Sequence, residues 1–132
     1  MQCQDVLLIR STERNTMEGV SLTTLVNEQL EVARRASSGR SSQTIHSGRT
    51  HPLRQTLIVL AAGRALDDHD SPPEATLQVL QGHVRLATKE DAEEDTWEGR
   101  AGDFLILPTA RHNLEAIDES AVLLTVANRL ES

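Results

Sequence analysis

The spacing of apolar and polar residues changes once along the chain. From Ser21 to Ala36 the period is that of a helix: Leu22, Leu25, Val26, Leu30 and Ala33 recur three and four residues apart. Ser21 is placed to cap the orphan N–H groups of a first turn, and Glu31 precedes Arg35 by four residues, the favourable order for a helical ion pair. Ser37-Ser38-Gly39 ends the run. The pattern predicts one amphipathic helix over Ser21–Ala36, whose apolar face packs on the domain or on a partner subunit.

After Ser41 the period is two. Strand candidates are Gln43–His46, Gln55–Ala61, Ala75–Leu80, His83–Thr88, Thr96–Arg100, Phe104–Leu107, His112–Ala116 and Ala121–Ala127. Turn chemistry separates them at Ser71-Pro72-Pro73, Gln81-Gly82, Gly102-Asp103 and Asp118–Ser120. Many short strands after a single helix predict an all-β sandwich or barrel and not a doubly wound sheet. Two stretches, Gly63–Gly82 and Gly102–His112, each join a turn glycine, a short apolar run and a histidine near a proline, and each reads as a hairpin. The acidic run Glu90–Glu94 lies between strand signals and reads as a solvated hairpin tip. The expected organisation is an N-terminal extension over 1–20, a helix and linker over 21–40, and a β-barrel domain over 41–132. Met17 is a second candidate start.

Composition narrows this further. A chain of 132 residues suits one domain with a real core, and with one Trp, one Phe and no Tyr that core must be aliphatic. The net charge of −7 argues against binding nucleic acid or an anionic membrane, both of which reward clustered cations. Cys3 is the single cysteine, so an intrachain disulfide and a Cys-based zinc site are excluded. The longest apolar runs are of strand length, well short of the ~20 residues of a membrane helix. The N-terminus shows no basic flank with a continuous apolar block, so the expected compartment is the cytoplasm. A glycine-rich phosphate loop, Gly-x-Ser-x-Gly and His-Glu-x-x-His do not occur.

The remaining candidate chemistry is histidine. His69 and His112 stand at corresponding places in the two glycine-led stretches, and these stretches resemble the two motifs of the cupin family, here as a small, single-domain, RmlC-like member. The first family motif reads G-x5-H-x-H-x3-E-x6-G; Gly63, His69 and Gly82 match it without a gap, while Ser71 and Ala75 occupy the second histidine and glutamate positions. The second reads G-x5-P-x-G-x2-H-x3-N; Gly102 and Pro108 match, Ala110 replaces the glycine, His112 follows one residue early, and the terminal asparagine is missing. The resemblance covers about 55–127. It implies a jelly-roll barrel (a double-stranded β-helix), a homodimer, and a pocket inside the barrel.

Under that alignment the face of Ala75, Leu77 and Val79 looks into the barrel, so the position of the family's carboxylate is a methyl group. Three histidines and a glutamate hold the metal in family members; here two histidines survive, and a tight site normally needs at least three protein ligands. The expectation is therefore a barrel that binds a small, partly apolar molecule, with His69, His112, His46, Leu77 and Val79 as contacts and no cofactor. The alternative is a metal-dependent dioxygenase or isomerase in which His69 and His112 hold a divalent transition metal with Glu74, Asp67 or Asp70. A metal-free acid–base enzyme of the histidine–tyrosine kind is disfavoured by the lack of any Tyr. Trp97 reads as a core or dimer anchor, and His51, His83, Asp103 and Arg111 as turn or surface residues.

Overall fold

A computed structural model describes residues 17–47, 50–69, 72, 74–90 and 93–128. The helix α1 spans Leu22–Arg35, and the Ser21 hydroxyl accepts the Thr24 backbone N–H at 3.2 Å, as the sequence predicts. Nine strands follow among the described residues: β1 Arg40–His46, β2 Leu53–Leu60, β3 Ala65–His69, β4 Ala75–Gln81, β5 His83–Glu90, β6 Glu93–Arg100, β7 Phe104–Ile106, β8 His112–Ala116 and β9 Ser120–Ala127. They form two antiparallel sheets, one ordered β1-β2-β9-β4-β7 and the other β3-β8-β5-β6. This is an all-β jelly-roll arrangement with an N-terminal helix.

Alternation divides each strand of the larger sheet between two environments. Leu60, Leu77, Val79, Val122 and Val126 point between the sheets, where they meet Val84, Leu86, Leu114 and Ala116 of the smaller sheet. The next residues along, Leu57, Val59 and Ala121, point the other way and are covered by Leu25, Val26, Leu30 and Ala33 of α1. Each fully buried Leu or Val of these layers contributes about 1.5–3 kcal/mol. The helix therefore packs on the outside of its own sheet, and β1 pairs with β2 of the same chain. Trp97 packs against the core between the sheets, its indole lying over Gly99, where an added Cβ would stand 2.2 Å from the ring.

Two expectations need correcting. Neither Gly63–Gly82 nor Gly102–His112 is a hairpin. β3 pairs with β8 while β4 pairs with β7 and β9, and β7 pairs with β4 while β8 pairs with β3 and β5. Each stretch carries the chain from one sheet to the other. The glycines turn the backbone as expected, with φ of +81° at Gly63, +92° at Gly82 and +95° at Gly102, but a turn of this kind does not choose the next pairing partner. The second correction is β3, for which Ala-Leu-Asp-Asp-His gives no apolar alternation; its pairing with β8 makes it a strand. The acidic run belongs partly to β5 and β6, whose pairing extends to Glu90 opposite Glu93; residues 91 and 92, like residues 1–16 of the 1–20 extension, lie outside the described residues.

One ion-pair cluster ties the helix to the barrel. The Arg34 guanidinium donates from Nε to Glu119 Oε2 at 2.8 Å and from Nη2 to Oε1 at 2.7 Å, while Nη1 reaches Glu31 at 2.7 Å. This two-pronged hydrogen bond from Arg34 holds the Glu119 carboxyl below the ordinary carboxylate range, and the same bond raises the Arg34 pKa.

Candidate functional site

Between the sheets, the packed core gives way to open space at the edge formed by β1 and β3. β1 and β2 line that space, β1 with Arg40, Ser41 and Ser42 and β2 with every second residue, Arg54, Thr56 and Ile58. In the β1–β2 ladder Arg40 lies opposite Leu60, Ser42 opposite Ile58 and Thr44 opposite Thr56. Alternation along β2 then presents Leu60, Ile58, Thr56 and Arg54 in order, a gradient from buried aliphatic to exposed cation. β9 continues the apolar side with Leu124 opposite Thr56 and Val126 opposite Arg54, and β3 closes it with Leu66. The result is a cavity of about 620 Å³, with Ser42 and Thr56 hydroxyls beside Ile58, Leu66, Leu124 and Val126. Arg40 bridges the gap between the edges, its Nη1 lying 3.5 Å from the Ala65 carbonyl. A shallower recess of about 510 Å³ lies across the outer surface of β3 and β8, where Asp67, Arg111 and Asn113 meet.

The structure places the sequence candidates as follows. His112 is 3% exposed and shares the inward face of β8 with Leu114 and Ala116. Its Nδ1–H donates to the Ala110 carbonyl at 3.0 Å, so in the neutral ring the lone pair is on Nε2. His69 is the register partner of His112 across the β3–β8 ladder, so the two backbones are brought together as the motif pairing implies; the His69 side chain lies outside the described part. Leu77 and Val79 are inward and buried, yet they belong to the packed core and are not among the described lining of the cavity. His46 is not in that lining either. It sits at the end of β1, opposite Gln55, with its ring stacked on His51 at a centroid distance of 5.0 Å.

Among the described residues, those at the metal position do not make up a set that holds a divalent ion. Ala75 is buried on the inward face where a carboxylate ligand is required, and Glu74 is exposed. Asp67 lies at the outer recess, Asp70 and Ser71 lie outside the described residues, and no three His, Cys, Asp or Glu side chains cluster among the described ones. One described imidazole falls short of the three ligands a tight site needs.

Sequence reasoning missed Arg40, Ser42, Arg54 and Thr56. The available signal was their alternation with Ser41, Gln43, Gln55 and Leu57, which puts every second residue of both strands on one face. Gln43 and Ser41 look toward α1 instead: the Ser41 hydroxyl donates to Gln29 Oε1, and Gln29 Nε2 donates to Gln43 Oε1 at 3.1 Å.

Solved structures share this arrangement. An RmlC-like cupin protein from Desulfovibrio desulfuricans superposes with a TM-score of 0.57 at 19% identity, covering 87% of this chain and 94% of that one. The Cnp3 cupin domain of Schizosaccharomyces pombe superposes with a TM-score of 0.63 at 14% identity, covering 84% and 74%. The fold is that of the cupins. A larger cupin-fold enzyme, a mutant salicylate 1,2-dioxygenase from Pseudoaminobacter salicylatoxidans, matches at a TM-score of 0.62 and 18% identity; the alignment covers 80% of this chain and 32% of the enzyme. No protein-family model and no curated protein matches the sequence. No helix among the described residues is long and apolar enough to cross a membrane.

Proposed function

We propose that this cupin-fold chain is a binding protein that holds a small, partly apolar molecule between its sheets without redox chemistry. The cavity carries this reading. Its size is within the range of about 300–1,000 Å³ typical of small-molecule sites, and its lining combines aliphatic walls with a few hydroxyls. Loss of the carboxylate position to Ala75 supports binding over metal chemistry. The test is titration with the neutral fluorophore N-phenyl-1-naphthylamine. Saturable, stoichiometric binding is expected, and Leu124→Trp, which fills the cavity with an indole, should abolish it. A wild-type protein with no saturable binding overturns the reading.

A second reading is supported by the register of His69 with His112 and by the occurrence of this fold in a dioxygenase. In it, those histidines and a carboxylate such as Glu74 hold a divalent transition metal in an enzyme. Elemental analysis of protein purified without a chelating tag separates the two. Stoichiometric metal that disappears in His112→Ala favours the enzyme; a sample that resists reconstitution favours the binding protein.

A further inference from the structure

The charged residues around the cavity are all of one sign. Arg40 and Arg54 line it, and no Asp or Glu is among its described lining residues, although acidic residues outnumber Lys and Arg by 20 to 13 in the chain. A neutral apolar ligand has no use for a guanidinium. An anionic one does, because carboxylates pair with guanidinium through short, charge-assisted and often bidentate hydrogen bonds.

The placing of the two arginines says more. Arg40 is the register partner of Leu60, and Arg54 lies six residues from Leu60 on the same β2 strand. At the usual rise per strand residue this separates the two backbones by about 20 Å along the ladder. Between them lie Ile58 and Leu124, with Ser42 and Thr56 on the same face, and Val126 stands level with Arg54. The cavity thus has a cation at each end and a hydrocarbon wall in the middle.

We propose that it takes an elongated ligand with an anionic group at each end and an apolar body, an α,ω-dicarboxylate in class, with one carboxylate on Arg40 and the other on Arg54. The proposal rests on the reading that this cavity binds a small molecule, and it adds the charge and shape of that molecule. Ser42 and Thr56 supply hydrogen-bond donors along the stretch between the two heads.

The experiment displaces N-phenyl-1-naphthylamine from the full chain with linear α,ω-dicarboxylates of increasing length, each compared with the monocarboxylate and the diol of equal length. An optimum length is expected, at which the dicarboxylate binds about two- to fivefold tighter than the matched monocarboxylate, the gain from one added exposed guanidinium–carboxylate pair. Arg40→Gln and Arg54→Gln, both at exposed positions and checked for wild-type melting, should each remove that factor and bring the dicarboxylate to the monocarboxylate level. Equal affinity for dicarboxylate and diol overturns the proposal, as does either variant that folds and binds the dicarboxylate unchanged. A protein that takes the neutral probe without preferring the dianion overturns this inference alone. One that takes neither overturns the binding reading as well.

Discussion

Gly82 alone joins β4 to β5, and two constraints meet on it. Its φ is +92°, and an added Cβ would lie 2.3 Å from both the Glu119 carbonyl oxygen and Ser120 Oγ. Ser120 is itself buried, and its hydroxyl accepts the His83 N–H at 3.0 Å, so the neighbour cannot step aside without losing that bond. Gly63 has a similar φ, +81°, but a methyl group added there would meet nothing within 4 Å. The pair separates backbone strain from crowding. Gly63→Ala should cost about 1–2 kcal/mol, the penalty of a left-handed non-glycine residue, and Gly82→Ala distinctly more; urea unfolding of both variants reads the difference. At this scale the sequence was informative about conformation and silent about contact. A glycine before or after an apolar run announces a turn, whereas the approach of Glu119 and Ser120 depends on residues almost forty positions away.

Elements show the same division. The helix, β4, β5 and β8 were legible because their apolar residues repeat at the period of one buried face, and β9 because it is a short apolar run bounded by a turn, buried on both faces. β3 was not, since Ala65–His69 owes its conformation to pairing with β8 and offers the core little beyond Leu66. The site was half legible for a related reason. Burial of His112 follows from its place in the alternation of β8, but the lining of β1 and β2 is polar at the open edge, so its face does not announce itself by hydrophobicity. The helix provides two tests. Ser21→Ala removes the hydroxyl that satisfies the Thr24 N–H and should cost about 1 kcal/mol in thermal or denaturant unfolding. The Arg34–Glu119 contact should make stability depend on pH. Glu119 has a folded pKa below its ordinary value of 4.5, so its contribution is complete above that value and is lost as pH falls through the lower folded one. The stability difference between wild type and Glu119→Gln should therefore shrink on acidification below about pH 4.5 and be constant at neutral pH.

For the whole molecule, the family resemblance leads us to propose a homodimer, and light scattering should give twice the 14.5 kDa of one chain. The helix and β1 are satisfied within their own chain, through the apolar layer under α1 and the ladder to β2, so neither has to cross to a partner for the domain to close. A mass of one chain by light scattering overturns the dimer.

β9 is the middle strand of the larger sheet, held by β2 on one side and β4 on the other, yet it is made last of the nine described strands. Until Ser120–Ala127 has emerged from the ribosome, the β1–β2 pair and its helix have no edge to join, and the inner wall lacks Val122 and Val126. A nascent polypeptide halted at residue 119 should accordingly be digested by protease along its length, with acquisition of resistance waiting on the final strand.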